Sequence, residues 1–288
     1  MDELLRPFDF EFFRNGLMVA TMAGALCGLV GVYVVLKGMS YIGHGLSHAI
    51  FGGFAASTLL GINFLLGAGA WGVASALMIN GVTRRRVIAS DAAIGVITTA
   101  SFALGLALFA FFDGEGGSFD AALFGSILGV GTQDVIAIAV VCLLAATLVF
   151  LRYRALLFTT FDPEVAEVSG VNTARMDALL MLVLAGSILA TMKILGVTLI
   201  AAALVIPPAV ARMLTNSFSR MLWMSVAIGA VCGFVGMNLS YHLDVQSGPT
   251  IVLVAATAFG VAFLATGPFG RRRTMGTTRV GRQAAPTD

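Results

Sequence analysis

Two histidines four residues apart are the side chains of this sequence best placed to do chemistry. His44 and His48 lie in the apolar stretch Met39–Ala49, and the chain of 288 residues contains only three histidines. On a helix, residues i and i+4 share one face, with Cβ atoms about 5–6 Å apart. Two imidazoles at that spacing can bind one metal ion together, at about 2.0–2.1 Å each if the ion is zinc. The spacing therefore predicts a metal-binding pair.

The composition places this pair inside a membrane. Hydrophobic residues make up 58% of the chain and charged residues 11%, whereas about 25% of the residues in a typical soluble domain are charged. We therefore predict an all-α fold, a polytopic membrane bundle of about eight or nine transmembrane helices. Ionisable side chains at membrane depth are costly and are read first as functional. The net charge of +2 is too small to indicate a nucleic-acid partner.

Nine segments of the sequence are candidate spans, because a crossing helix needs about 20 apolar residues. Segment 40–60, which carries the two histidines, is the least hydrophobic, so we expect it to face protein. Segment 121–130 is too short to cross and is expected to form a re-entrant or interfacial helix. The candidate spans are 15–36, 40–60, 64–82, 88–112, 133–151, 175–194, 196–214, 220–240 and 249–267.

Small residues recur every four positions along the second span, beside the face that carries the histidines. Helices in lipid approach closely where small residues meet. We therefore expect this helix to press on its neighbours and to hold the histidines at a buried junction. The stripe consists of Gly45, Ala49, Gly53, Ser57 and Gly61.

The positions of lysine and arginine predict the orientation of the bundle. With the Arg84–Arg86 loop in the cytoplasm, fourteen of the seventeen basic side chains fall on the cytoplasmic side, in agreement with the positive-inside rule. The N-terminus is then outside and the C-terminus is in the cytoplasm. We expect residues 1–14 to form an interfacial segment, 15–268 the transmembrane domain, and 269–288 a disordered basic tail in the cytoplasm.

A short capped helix is predicted on the cytoplasmic face, in the connection 152–174. Asp162 can accept hydrogen bonds as its N-cap, and Pro163 suits the first helical position. A helix with such caps is of the kind that docks on a partner protein, whereas a plain interhelical loop would not need them. The predicted docking residues are Asp162, Pro163, Glu164 and Glu167.

Six stretches of the chain match, in order, the pattern of a known family. They are Lys37–Ala49, Ser90–Gly95, Leu123–Leu128, Phe161–Ala166, Leu204–Ala209, and Ser240–Asp244 together with Ser247–Thr250. With these motifs the chain resembles the permease subunit of the manganese/zinc/iron ABC importers, the ABC-3 family. The resemblance covers about residues 15–266. One motif alone would be weak evidence, but six in the family's order are specific.

The resemblance implies an importer of divalent transition metal ions in the bacterial inner membrane. The metal would be the transported substrate, with no permanently bound cofactor. Two copies of this chain would form the pathway through the lipid, two cytoplasmic ATP-binding subunits would drive it, and an extracytoplasmic metal-binding protein would deliver the ion. The chain itself is not expected to be an enzyme. Its only lysines are Lys37 and Lys193, and neither completes a P-loop.

The resemblance also implies which side chains line the metal path. The family usually has Asp at the position of His44, followed four residues later by the histidine that is His48 here. A pair of imidazoles favours zinc, whereas a carboxylate with an imidazole suits manganese or zinc. We therefore expect zinc, with manganese or iron as the alternatives. His242 and Asp244, near the outer end of the eighth span, are further candidate ligands.

Other functions fit the residues less well. An intramembrane zinc protease would need H-E-x-x-H, but Gly45 stands at the position of the catalytic Glu. A secondary transporter would be favoured by inverted repeats, and none is visible. A vitamin B12 or siderophore permease would need a wide cavity and no metal-ligating pair. Asp91 and Asp177 lie at cytoplasmic helix starts, where a carboxylate favours the helix dipole, and we assign both a structural role.

Overall fold

The computed structural model describes residues 6–84, 90–111, 123–126 and 129–266, and within these ranges it contains helices and turns but no strand. A 3-10 turn at Arg6–Asp9 precedes the first α-helix. The α-helices are α1 (Glu11–Leu36), α2 (Ser40–Leu59), α3 (Phe64–Arg84), α4 (Ser90–Phe111), α5 (Thr132–Leu151), α6 (Tyr153–Phe161), α7 (Pro163–Val168), α8 (Thr173–Leu195), α9 (Ile200–Leu214), α10 (Phe218–Leu243) and α11 (Ser247–Thr266).

Seven of these helices are long and apolar enough to cross a membrane. They are α1, α3, α4, α5, α8, α10 and α11. The predicted spans 40–60 and 196–214 correspond to α2, which is rich in glycine and serine, and to α9, which has only 15 residues. The all-helical membrane fold is thus confirmed. The number of crossings and the orientation of the termini remain predictions.

Helix α1 packs against α10 without side chains between the two backbones. A Cβ atom added to Gly24 would lie 2.0 Å from the carbonyl oxygen of Gly229, and one added to Gly229 would lie 2.1 Å from that of Gly24. One turn further along, the Ser225 hydroxyl donates a 2.7 Å hydrogen bond to the carbonyl oxygen of Gly28. Glycine is therefore required at this crossing, because any side chain would separate the helices.

Helix α2 lies against α3 and α4, also through small residues. A Cβ atom on Gly45 would lie 2.6 Å from the Cγ2 atom of Ile94, and one on Gly53 would lie 2.4 Å from the Cβ atom of Trp71. The close packing predicted for the stripe of small residues is therefore confirmed at Gly45 and Gly53. It holds the histidine-bearing helix close to two neighbours.

The connection between α5 and α8 contains two short helices. The carboxylate of Asp162 accepts a 3.0 Å hydrogen bond from the Val165 amide, and Pro163 is the first residue of α7. After α7, Gly170 adopts a left-handed φ of 82°, which L side chains rarely adopt. The capped helix predicted from the sequence is confirmed. Helix α6, which precedes it, was not predicted.

Candidate functional site

The two histidines lie side by side on α2. Their ring centroids are 4.4 Å apart, and the ring planes meet at 82°, so that one ring edge faces the other ring. Both side chains are half-buried. This contact is the direct result of the i, i+4 spacing on a regular helix, and it confirms that the two imidazoles share one face.

The surroundings of His48 fix its ring and leave one nitrogen without a partner. Phe102 of α4 packs on the ring, with centroids 4.5 Å apart. The Nδ1 atom is buried and has no hydrogen-bond partner in the structure. A buried polar atom without a partner carries an uncompensated desolvation penalty. A metal ion that binds the lone pair of this nitrogen, or a group that accepts a hydrogen bond from its N–H, would remove that penalty.

The histidine pair would give a metal ion two protein ligands. Among the described residues, no third His, Cys, Asp or Glu joins them in a group that could hold a metal ion. Structural zinc sites have four protein ligands and catalytic ones have three. Two imidazoles therefore leave at least half of the coordination positions to water or other donors. Such a site suits an ion that enters and leaves, because passage requires binding that is not too strong.

The other two candidate ligands lie elsewhere. His242 is exposed near the end of α10, and its ring meets that of Tyr241 edge-on at 5.6 Å. Asp244 follows the helix as its C-cap, with a left-handed φ of 52°. In the described part of the chain, these residues do not join His44 and His48 in a metal-binding group. Their role as ligands remains a prediction.

Helix α7 presents an exposed surface of acidic and apolar side chains. Asp162, Pro163 and Glu164 are all exposed. Val165 is 48% exposed and Val168 is 92% exposed. Apolar side chains that are left uncovered beside charged ones are typical of a protein contact surface. We call residues 158–170 the docking surface. Its binding to an ATPase remains a prediction.

A group of charged residues at the same end of the helices was missed by the sequence analysis. The Nζ atom of Lys37 lies 2.8 Å from one carboxylate oxygen of Asp177, and the Nη1 atom of Arg84 lies 3.1 Å from the other. The Nη2 atom of Arg84 is also 4.0 Å from Glu167. Asp177 is therefore more than a charge at a helix start. These residues are far apart in the chain, so no local signal could have revealed the contact.

Comparison with known proteins gives matches along almost the whole chain. The model of the ABC 3 transport family matches residues 9–266. The manganese transport system membrane protein MntC of Listeria monocytogenes is 35% identical over 256 residues, which cover 89% of this chain and 91% of that protein. The chelated iron transport system membrane protein YfeC of Yersinia pestis is 31% identical over 286 residues, covering 99% and 97%.

A solved structure matches the fold as well. PsaBC from Streptococcus pneumoniae, determined in complex with a Fab, superposes with a TM-score of 0.83 at 32% sequence identity. The match covers 95% of this chain and 98% of that one. The arrangement of helices described above is therefore shared with a related protein of nearly the same length.

Proposed function

This chain belongs to the ABC 3 transport family, and from that premise we propose that it is the membrane-spanning permease of an ATP-driven importer for divalent transition metal ions. It is a multi-pass protein of the cell membrane, and seven of the helices that the structure describes are suited to crossing. The observation that carries the proposal is the His44–His48 pair, whose rings are in contact on a tightly packed helix. The names of the relatives, which refer to manganese and chelated iron, support a metal substrate.

In this proposal the histidine pair binds the metal during its passage. Both imidazoles offer a nitrogen lone pair, which requires that they are unprotonated. Phe102 holds the ring of His48 from α4, while close packing through Gly45 fixes the helix beneath the rings. The residues of the chain thus orient the two ligands, and the remaining ligands come from water or other donors.

Zinc is the metal that the donor atoms favour. Two nitrogen ligands suit zinc, whereas manganese prefers sites with oxygen ligands. The relatives named for manganese and iron do not support zinc in particular. The proposal of zinc therefore rests on the presence of His44 together with His48, and manganese or iron is the alternative.

The partners in this proposal are those that an importer of this kind needs. Each copy of the chain binds one ATP-binding subunit at its docking surface. Separate ATP-binding subunits are needed because the chain has no P-loop of its own. A second copy of the chain completes the permease, and an extracytoplasmic metal-binding protein delivers the ion. The exposed Glu164 and Val168 of α7 support a contact with a cytoplasmic partner.

Uptake of radioactive metal tests the proposal. The chain is produced with its ATP-binding subunit and metal-binding protein in cells that lack their own zinc and manganese importers. We expect uptake of zinc, manganese or both that stops when ATP is depleted. If no divalent metal enters, the proposed function is wrong. Uptake that continues without ATP but follows the proton or sodium gradient would indicate a secondary transporter instead.

A further inference from the structure

Four charged side chains form a line of alternating sign at one end of the helices. In order they are Lys37 on the end of α1, Asp177 on α8, Arg84 on the end of α3, and Glu167 on α7. We call these four residues the ion chain. The line begins beside the helix that carries the histidines and ends on the docking surface.

We propose that the ion chain links the docking helix α7 to the start of α2, so that Lys37, Asp177 and Arg84 are positioning residues for transport. This inference rests on the proposed function, because it takes α7 as the place where the ATPase acts. It assigns a role to three residues outside both the histidine pair and the docking surface.

Asp177 is the centre of the ion chain. One of its carboxylate oxygens contacts Lys37 at 2.8 Å and the other contacts Arg84 at 3.1 Å. The side chains of Lys37 and Asp177 are only 12% and 25% exposed. Charge-assisted hydrogen bonds are among the stronger polar contacts, and a shielded charge that loses its partner is strongly destabilised. The ends of α1 and α3 are thus both tied to α8 through one carboxylate.

The outer end of the ion chain reaches α7 by weaker contacts. Arg84 lies 4.0 Å from Glu167, and these side chains are 37% and 61% exposed. The hydroxyl of Thr173 donates a hydrogen bond to Glu167 and accepts a 3.4 Å one from Arg84. Exposed ion pairs are weak. The Arg84–Glu167 contact can therefore break and re-form when α7 moves, while the Lys37–Asp177 pair stays together.

The inner end of the ion chain reaches the start of α2. The Nζ atom of Lys37 also donates a 3.1 Å hydrogen bond to the carbonyl oxygen of Thr159 on α6. The next residue, Gly38, has a φ of 67°, and no atom lies within 4 Å of the place where its Cβ would be. Helix α2 begins at Ser40, so His44 follows after about one helical turn.

The surroundings leave room for the ion chain to rearrange. All four of its residues line a cavity of about 400 Å³ between the ends of the helices. Coupling between distant sites needs an element with two arrangements, each favoured by one of the sites. In this proposal the ion chain is that element: a displacement of α7 changes the contacts of Arg84 and Asp177 and thereby the position of Lys37 and α2.

The substitution Asp177→Asn tests the proposal in the complete complex of permease, ATPase and metal-binding protein. We expect the ATPase still to co-purify and to hydrolyse ATP, while metal uptake falls by about 5-fold to 150-fold, the range of typical coupling free energies. More ATP is then hydrolysed per ion transported, a change that a mere loss of folded protein would not produce. Asp177→Glu keeps the charge and is expected to restore much of the uptake.

The matched control is Arg175→Gln, two residues earlier on α8. This side chain is exposed and has no ion pair within the described part of the chain, so wild-type uptake is expected. Arg84→Gln is a second test, used in particular if Asp177→Asn does not accumulate. The Arg84→Gln change leaves the Lys37–Asp177 pair intact and removes only the contacts that connect Asp177 to α3 and α7. We expect reduced uptake with the ATPase still bound.

Three results would overturn the proposal: wild-type uptake in Asp177→Asn, wild-type uptake in Arg84→Gln, or loss of the ATPase from either variant complex. The last result would give these residues a role in docking or folding instead. Failure of the proposed function is a separate result, because in that case the wild-type complex itself shows no ATP-dependent uptake.

Discussion

The edge of one imidazole faces the other in the pair His44 and His48, with 4.4 Å between the ring centroids. Two imidazoles this close can share one ion once the rings turn so that a nitrogen of each faces it. The buried Nδ1 atom of His48, which has no hydrogen-bond partner, adds a reason for a ligand to bind there. Three of the predictions below concern this pair and the helices that hold it, and one concerns the docking surface.

Replacement of His48 by alanine is expected to abolish metal uptake. Loss of a residue that only supports a metal ligand typically costs about 10–100-fold in affinity or activity, and loss of a ligand is expected to cost at least as much. Uptake of radioactive zinc and manganese measures the effect, and co-purification of the ATPase shows whether the complex is assembled. Thr58→Ala, at an exposed position on the same helix, is the control. An assembled His48→Ala complex with wild-type uptake would exclude His48 as a ligand.

The double substitution Glu164→Lys and Glu167→Lys is expected to release the ATPase or to abolish its stimulation, because it reverses the charge of the docking surface. Co-purification and ATP hydrolysis measure the result. Glu164→Lys alone leaves the ion chain intact and is expected to weaken binding on its own. Arg212→Glu, which reverses an exposed charge at the end of α9, is the control. If both properties survive in the double variant, the ATPase binds elsewhere.

The substitution His44→Asp is expected to shift preference from zinc toward manganese, because an oxygen ligand replaces a nitrogen ligand. It is also expected to make uptake less sensitive to acid. Both imidazoles of the wild type must be unprotonated to bind a metal, so uptake falls as the pH falls, and the variant has one such group fewer. Competition between zinc and manganese at several pH values measures both effects. An unchanged preference would mean that the metal-binding protein selects the ion.

Gly52→Ala is expected to destabilise the protein and to reduce uptake. A Cβ atom at this position would lie 2.3 Å from the carbonyl oxygen of Ser101 on α4, and the next residue, Phe102, packs on His48. Overpacking of this kind typically costs about 1–3 kcal/mol. Thermal unfolding in detergent and metal uptake measure the two effects.

The control for that experiment is Gly81→Ala on α3. No atom lies within 4 Å of the Cβ atom that this change adds. Alanine is favoured over glycine inside a helix by up to about 1 kcal/mol, so this variant is expected to be at least as stable as the wild type. Equal unfolding temperatures for Gly52→Ala and Gly81→Ala would show that α2 and α4 separate easily.

The features that could be predicted from the sequence are those set by neighbouring residues. The i, i+4 spacing of His44 and His48 fixes their contact once α2 is a helix. Asp162 before Pro163 predicts the start of α7 for the same reason, since capping depends on the next few residues. The long apolar segments are sufficient to predict a helical membrane bundle, because a helix needs about 20 apolar residues to cross. In lipid, only α-helices and closed β-barrels satisfy the hydrogen bonds of the backbone.

The features that could not be predicted depend on residues far apart in the chain. Lys37 and Asp177 are separated by 140 positions, and Arg84 and Asp177 by 93. Each looks in the sequence like an ordinary charge at a helix end. Phe102 likewise looks like one more apolar residue of a span, although it packs on His48. Only the packing of the helices brings these residues together.

The glycine contact between α1 and α10 determines which parts of the molecule can tilt during a transport cycle. Gly24 and Gly229 each face the carbonyl oxygen of the other, with no room for a Cβ atom between the two backbones, so these helices are expected to travel as a single rigid body. Gly38, in open space, is then expected to act as the pivot between this body and α2. An inward or outward swing would then be made by α2 with α3 and α4, and it would carry both histidines along relative to α1 and α10.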